Sequence, residues 1–575
     1  MAEASTSSSR PSRRSRPIPV QEVLRMLADS DEELSDVEFE SDTDDECRDV
    51  PETTETVEAL QFDWHEYPDI DPWDSSWLPN FQRQRGVLVD TTDFQPVNYF
   101  QLFFPDSVFT LMSTETNRYA QQFFDSVDRL PPSSRFHKWK PTTPGELKGF
   151  VALQIEMGLD WRYRVSEHWS TRSLSPGGFG DVMSRDRYLL LQSFLHFSDS
   201  TLQPKKGDPN YNPLYKIQPV LDLTLPTYAQ VYQPGRDLSV DESMIKYKGR
   251  LAFRQYMPAK PTKYGIKDFV LAEADTGYCL KFMTYTGKYL FPRKDIPLTS
   301  QVVLDLLRGY EHKGHIVYMD NFYTSPELFY TLETLSIGAC GTARTNRKHM
   351  PPDLKPEALK LKRGDDPVFM RTGNLVACGW QDVKRVTCLS TAHTNNTCEK
   401  TIRQKDNPEG RLLDKPVMVE EYNAKMSGVD RLDQMLGSYA YSHKSLKWYR
   451  AVYHRIREIA LTNGHILHKR DKGDSSLDAA KFRKQVVDGL LAEYVPTAST
   501  PRGRPSGKPL PNRLSERHFP ATYEDKKYKP DCEVCSDRSK VKGRHQCNTY
   551  CKQCDLPMHA TGCFERFHTL REFRK

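Results

Sequence analysis

Four aspartates stand where a carboxylate could do chemistry. Asp320 closes the apolar run "HIVYMD" (315–320), just ahead of the helical pattern "SPELFYTLETLS". Strand-to-helix turns favour Asp, Asn or Ser as caps of the next helix, so capping is one reading of Asp320. Asp241 suggests another, because it ends the short strand pattern in "RDLSVDESM" in the same way. Asp430 and Asp433 lie three apart in "YNAKMSGVDRLDQML", a spacing that puts both on one helix face. If the two strands are neighbours and that helix packs beside their ends, three or four carboxylates converge. Such a group repels itself unless cations bind. Hard oxygen ligands with room for water and phosphate select Mg2+ or Mn2+. Two such ions about 4 Å apart can activate a water or a 3′-hydroxyl and stabilise the leaving oxygen of a phosphodiester.

A second constellation closes the chain. Six of the twelve cysteines lie between Cys532 and Cys563. Cys532-x2-Cys535 and Cys551-x2-Cys554 are followed by His559, Cys563 and His568, a zinc-binding pattern. Interleaved pairing predicts one Zn2+ site from Cys532, Cys535, His559 and Cys563. Cys551, Cys554 and His568 form a second with its fourth ligand open, and Cys547 and His545 are the candidates.

The elements that must position these residues follow from periodicity. Residues 96–235 read as mainly helical. In "TTPGELKGFVALQIEMGL", Thr143 is placed to cap, Pro144 sits in the first turn and Glu146 follows three residues after Thr143. "SRDRYLLLQSFLHF" and "YKIQPVLDLTLPTYAQVY" are further helices. Residues 236–344 change texture. They run strand, strand, strand, helix, strand, helix, strand, with a hairpin turn at Asp275-Thr276-Gly277. That alternation argues for a mixed α/β layer. Residues 345–415 break it with a small run of strands, read as an insertion. Residues 416–475 return to helix and end in a long amphipathic one. Residues 476–519 hold one more helix and a Pro/Gly-rich basic linker, and residues 520–575 hold the cysteines.

Charge is divided unevenly. Residues 1–60 carry 6 Lys/Arg and 17 Asp/Glu, a balance of −11, so the other 515 residues balance at +15 within the total of +4. Residues 1–95 read as a disordered acidic tail, in which Ser30, Ser35 and Ser41 precede acids as acid-directed kinase sites do. A basic body behind an acidic tail suits a polyanion-binding protein. No apolar run approaches a membrane span, and the N-terminus lacks the apolar core of a secretory signal, so an intracellular address is expected.

The order of elements resembles a DDE/DDD transposase core of ribonuclease-H-like type. The strings "SVDESMIKYKGR", "YMDNFYTSPELF", "GTARTNRK" and "YNAKMSGVDRLDQML" resemble the piggyBac transposase family, as do "KPTKYGIKDFVLAEADTGY", "WSTRS" and "CFERFHTL". The resemblance covers residues 96–575. It implies an α/β ribonuclease-H-like catalytic core with an insertion, a mainly helical N-terminal domain for dimerisation and DNA binding, and a small C-terminal zinc-binding domain. It also implies Asp241, Asp320 and Asp430 as catalytic, Mg2+-binding aspartates, with Asp433 supporting them. The implied reaction is cut-and-paste transposition through DNA hairpins, with joining at TTAA. The implied partners are double-stranded DNA with terminal inverted repeats and a second copy of the chain, and the basic strings "RPSRRSR" and "PRGRPSGK" read as nuclear import signals, so a nuclear address is expected.

Basic residues flank the acids. Lys246, Lys248, Arg250, Arg254, Lys260, Lys263 and Lys267 interleave with aromatics, and Lys444, Lys447, Arg450, Arg455 and Arg457 surround Trp448 and Tyr449. Both stretches suit a nucleic-acid channel. Lys540, Lys542 and Arg544 suit phosphate contact in the cysteine-rich segment. Two other functions compete: a host-retained derivative that binds DNA without cutting, and a chromatin reader built on the cysteine-rich segment alone.

Overall fold

The computed structural model describes residues 62–67, 76–128, 130–132, 134–170, 178–258, 260–287, 296–404, 407–441, 445–473, 477–494, 517–570 and 572–574. They fall into two compact units, one up to Thr497 and one from Ala498. Most of the acidic tail, residues 1–61, lies outside the described residues. So do residues 68–75, while the described residues of that stretch take part in sheets and side-chain contacts. His65–Glu66 adds to the main sheet, Gly86–Val87 pairs with Tyr232–Gln233, and Trp64 Nε1 donates to the His349 carbonyl at 2.8 Å. The acidic residues that argue against a core are concentrated before residue 60, whereas Phe62, Trp64 and Tyr67 supply apolar surface to bury.

The helical layer comprises α1 (Pro96–Gln101), α2 (Asp106–Ser126), α3 (Pro144–Leu159), α4 (Arg185–Phe194) and α5 (Gln218–Gln230). Thr143 caps α3 by accepting from the Glu146 amide at 3.1 Å. Glu146 itself is buried against the Arg187 guanidinium at 2.6 Å and the Thr142 hydroxyl at 2.7 Å.

The sheet is built from β1 (Asp237–Lys246), β2 (Tyr264–Glu273), β3 (Cys279–Thr284), then α6 (Leu298–Leu307), β4 (Ile316–Met319), α7 (Pro326–Thr334) and β5 (Gly338–Thr342). The core strands lie in the order β3-β2-β1-β4-β5, with β1, β4 and β5 parallel and the hairpin strands antiparallel. The turn between β2 and β3 uses Gly277 at φ +73°, a backbone region glycine enters without cost. β6 (Val368–Thr372), β7 (Leu375–Gln381) and β8 (Arg385–Ser390) belong to the stretch read as an insertion. They do not stand apart, because β8 pairs with β5 and extends the same sheet. β9 (Thr397–Gln404) and β10 (Asn407–Pro416) form a separate hairpin.

α8 (Val417–Lys425) and α9 (Gly428–Ser438) replace the single helix expected there. α10 (Trp448–Lys472) and α11 (Ala479–Ala492) complete the unit. α9 presses closely on the sheet. A Cβ on Gly428 would lie 2.3 Å from the Ser239 hydroxyl and 3.0 Å from the Ala274 backbone, so only glycine fits.

Two buried groups yield predictions. Glu458 on α10 lies between Arg457 (2.9 Å) and Arg483 (2.6 Å), all three almost wholly inaccessible. Glu458→Gln leaves two guanidiniums without their counter-charge and is expected to cost about 3–5 kcal/mol, read from denaturant midpoints. His315, just before β4, is enclosed by Phe81 and Tyr310, and burial pushes its pKa down to about 4. Below about pH 6.5 the unfolded chain binds a proton that the folded imidazole refuses, so this contribution is complete at neutral pH and lost on acidification. Between pH 7 and pH 5 the loss is about 2 kcal/mol, measured as the difference in pH dependence of urea unfolding between wild type and His315→Gln.

Candidate active site and metal centres

The parallel register of β1 and β4 brings the first two aspartates together. Asp237 pairs with Ile316 and the ladder runs to Val240 with Met319, so Asp241 and Asp320 come next on strands about 4.8 Å apart. β1 does not stop at Asp241, as its sequence pattern suggested. It runs on to Lys246 as the partner of β2, and only its pairing with β4 ends. Nor does Asp320 cap α7. Ser325 does so by accepting from the Leu328 amide at 3.3 Å, while Asp320 Oδ1 accepts from the Phe322 amide at 2.9 Å.

α9 carries Asp430 in its first turn and Asp433 one turn on. Asp433 Oδ1 accepts from the Ser243 hydroxyl at 2.5 Å and meets Arg455 of α10 at 2.9 Å. Ser243 shares the face of β1 with Asp241, so Asp433 fastens the helix against that face. Lys260 completes the group: its Nζ lies 3.1 Å from Asp241 Oδ2 and 2.9 Å from the Glu242 carbonyl, within the field of Asp430.

The electrostatics are those of crowded acids. Burial, and then the Glu242 charge, push the Asp241 pKa up to about 7, with Asp320 adding to the rise and Lys260 opposing it. Burial followed by Glu242 also raises Asp320, against the Phe322 amide and Lys260. Asp241 is buried and Asp320 half-buried, so this adjacent pair favours a bound cation, whereas Asp430 in the first turn of α9 is exposed. Among the described residues, the groups whose ligand atoms all lie within 4.8 Å of one another are two Cys/His sets; the three aspartates are not such a group.

The basic stretches divide. Lys246, Lys248, Arg250 and Lys263 are exposed. Arg254 folds back onto the Lys248 and Gly249 carbonyls, and Lys267 lies over the Phe269 and Phe322 rings. Among its described residues, the second stretch turns its basic side chains inward or onto other groups. Arg450 and Arg457 are buried, Arg455 is committed to Asp433 and Ser243, and Lys447 donates to the Ser193 carbonyl. Lys444 lies outside the described residues. A long helix in the core buries side chains on several faces, and a count of its basic residues does not separate these faces.

The second unit brings the cysteines into two sets. One is Cys532, Cys535, His559 and Cys563; the other is His518, Cys551, Cys554 and His568. Zinc bonds of 2.3 Å to sulfur and 2.0–2.1 Å to nitrogen, at the tetrahedral angle, separate S and N ligands by about 3.6 Å. His559 Nδ1 lies 3.4 and 3.6 Å from the Cys535 and Cys563 sulfurs. His518 Nδ1 lies 3.4 Å from both Cys551 and Cys554, and His568 Nε2 lies 3.6 Å from Cys554. The outer ring nitrogens are oriented too: His568 Nδ1 donates to the Phe564 carbonyl at 2.8 Å and His559 Nε2 to that of Gln546 at 3.2 Å. Both sets therefore fit Zn2+.

His518 fills the place left open between Cys547 and His545. Cys547 is instead buried in the same small cluster as Cys532, and His545 is exposed. His518 was missed because it precedes the first CxxC by fourteen positions and falls outside the expected boundary at 520. Strand β11 (Pro520–Thr522) pairs with β12 (Thr549–Cys551) and draws it back, while β13 (Leu556–Pro557) and α12 (Cys563–Thr569) supply the other side. Of the expected phosphate contacts here, Lys540 and Arg544 pair with Asp537 and Asp531, and Lys542 is exposed.

Adjacent acids on a sheet seam in one unit, and two Cys/His groups in the other, call for comparison with metal-dependent DNA enzymes. The model of the family described as Transposase IS4 matches residues 95–465. With the relatives below, the chain belongs to the piggyBac transposase family. It is 26% identical over 443 residues to human PiggyBac transposable element-derived protein 2, covering 76% of this chain and 71% of the relative. It is 27% identical over 485 residues to human PiggyBac transposable element-derived protein 3, covering 82% and 76%. Its fold matches a cryo-EM structure of a piggyBac transposase synaptic complex with hairpin DNA at a TM-score of 0.61 and 24% identity, over 83% of this chain and 98% of that one.

Proposed function

We propose that this chain is a DDD-type DNA transposase whose sheet is a ribonuclease-H-like catalytic core. Asp241, Asp320 and Asp430 would hold the catalytic Mg2+ or Mn2+, and Asp433 would brace the helix that carries Asp430. The observation that supports this reading is the register that sets Asp241 beside Asp320, with α9 fastened to β1 through Asp433, Ser243 and Arg455 and carrying Asp430 near enough for its charge to act on Lys260. When bound, the divalent cations supply charge that activates a nucleophilic oxygen and stabilises the leaving one. The chain buries Asp241, half-buries Asp320 and Asp433, and leaves Asp430 exposed at the start of α9. The reaction proposed is cut-and-paste transposition through hairpin ends with joining at TTAA. A homodimer would act in the nucleus, and the Cys/His unit would bind the element's terminal repeats.

Incubation with Mg2+ and a plasmid carrying matched ends tests the reading. Nicking followed by release of the flanked segment is expected. End binding without any cleavage would favour a host-retained DNA-binding protein instead. Binding of a histone peptide by residues 517–575, with DNA ignored, would favour a chromatin reader.

A further inference from the structure

We propose that Lys260 is the exchangeable counter-ion of the acid seam. It neutralises Asp241 before a divalent cation binds, and passes to a DNA phosphate once that cation takes its place. This rests on the metal-dependent reading above and adds a residue to it.

The geometry is that of a placeholder. The ammonium sits 3.1 Å from Asp241 Oδ2 and 2.9 Å from the Glu242 carbonyl oxygen. A divalent ion would approach the same carboxylate to about 2.0–2.2 Å. Two cations on one carboxylate edge repel each other strongly in a buried site, so the ion of higher charge displaces the ammonium. Lys267, also in the field of Asp241, Glu242 and Asp320, cannot take the same part, because its ammonium is held over the Phe269 and Phe322 rings at 4.7 and 4.8 Å.

The loop permits the exchange. Its ends are tied by the Met257 amide to the Lys263 carbonyl at 2.8 Å, and Lys260 N donates to the Met257 carbonyl at 3.2 Å. Pro261 follows Lys260 directly and restricts its backbone, so the four-carbon stem is the part left to move. That side chain is 21% exposed, which gives it a way out of the seam. An expelled ammonium remains stable beside another anion. A phosphodiester brought in by the exposed Lys246, Lys248, Arg250 and Lys263 is the anion at hand.

The test is Mn2+ titration of the full chain without DNA, by calorimetry and by the rise in melting temperature. Lys260→Met is expected to bind Mn2+ about tenfold more tightly than wild type, and the control Lys263→Met to match wild type. Lys260→Gln keeps the test open if the methionine variant fails to fold. At saturating Mn2+, Lys260→Met is expected to cleave matched ends about tenfold more slowly. Affinity unchanged or weakened in the Lys260 variants overturns the exchange. Cleavage unchanged at saturation overturns the phosphate contact. If Asp320→Asn binds Mn2+ as wild type does, the acid-site reading fails, whatever the lysine does.

Discussion

Asp320→Asn is expected to reduce strand cleavage by on the order of a thousandfold or more, with DNA binding unchanged. The substitution is nearly isosteric. An asparagine oxygen can still accept from the Phe322 amide, so the turn after β4 keeps its shape. What disappears is one negative charge at the seam, and with it the affinity for a divalent cation. Loss of that charge also relieves repulsion from Asp241 and Glu242, so the metal-free variant should be no less stable than wild type. A cleavage gel on matched ends, beside a mobility-shift titration on the same DNA, separates the two effects. Substantial cleavage by the variant would remove Asp320 from the site.

Zinc removal is the second large effect. With two complete tetrahedral sets, the full-length protein should carry two zinc ions per chain. Structural zinc sites contribute on the order of 10 kcal/mol to small domains, so a strong chelator should unfold residues 517–570 and expose them to protease while the larger unit resists. The ligand assignment can be decided separately. His518→Ala should lose the second ion and His545→Ala should keep both, measured by metal content. The reverse result would show that His518 only stacks against His568, whose ring it faces at 4.3 Å.

The second acid, Glu242, shows where sequence patterns stop. It follows Asp241 directly, yet its charge ranks next after burial among the causes that raise both aspartates, and its carboxylate accepts from the Tyr323 hydroxyl at 3.3 Å. Nothing in the local spacing sets it apart from a solvated strand residue. Lys260 was legible as one of several basic residues but not as a partner of Asp241, because a loop decides where its side chain ends. Arg450 and Arg457 failed in the opposite direction: their sequence looks like a basic helix face, and packing buries them.

Periodicity and turn residues determined the order of helices and strands, because amphipathic spacing and capping act over a few neighbouring residues. The CxxC pairs announced zinc for the same reason, since a metal ligand pair is a local feature. The spacing of Asp430 and Asp433 likewise placed them on one helix. Tertiary structure alone decided that β6–β8 extend the main sheet, that His518 joins a set more than thirty residues away, and that Asp433 binds Arg455 and Ser243. Those outcomes depend on which surfaces find each other across long stretches of chain. That is settled by burial and charge pairing over the whole core, and no short window of sequence contains it.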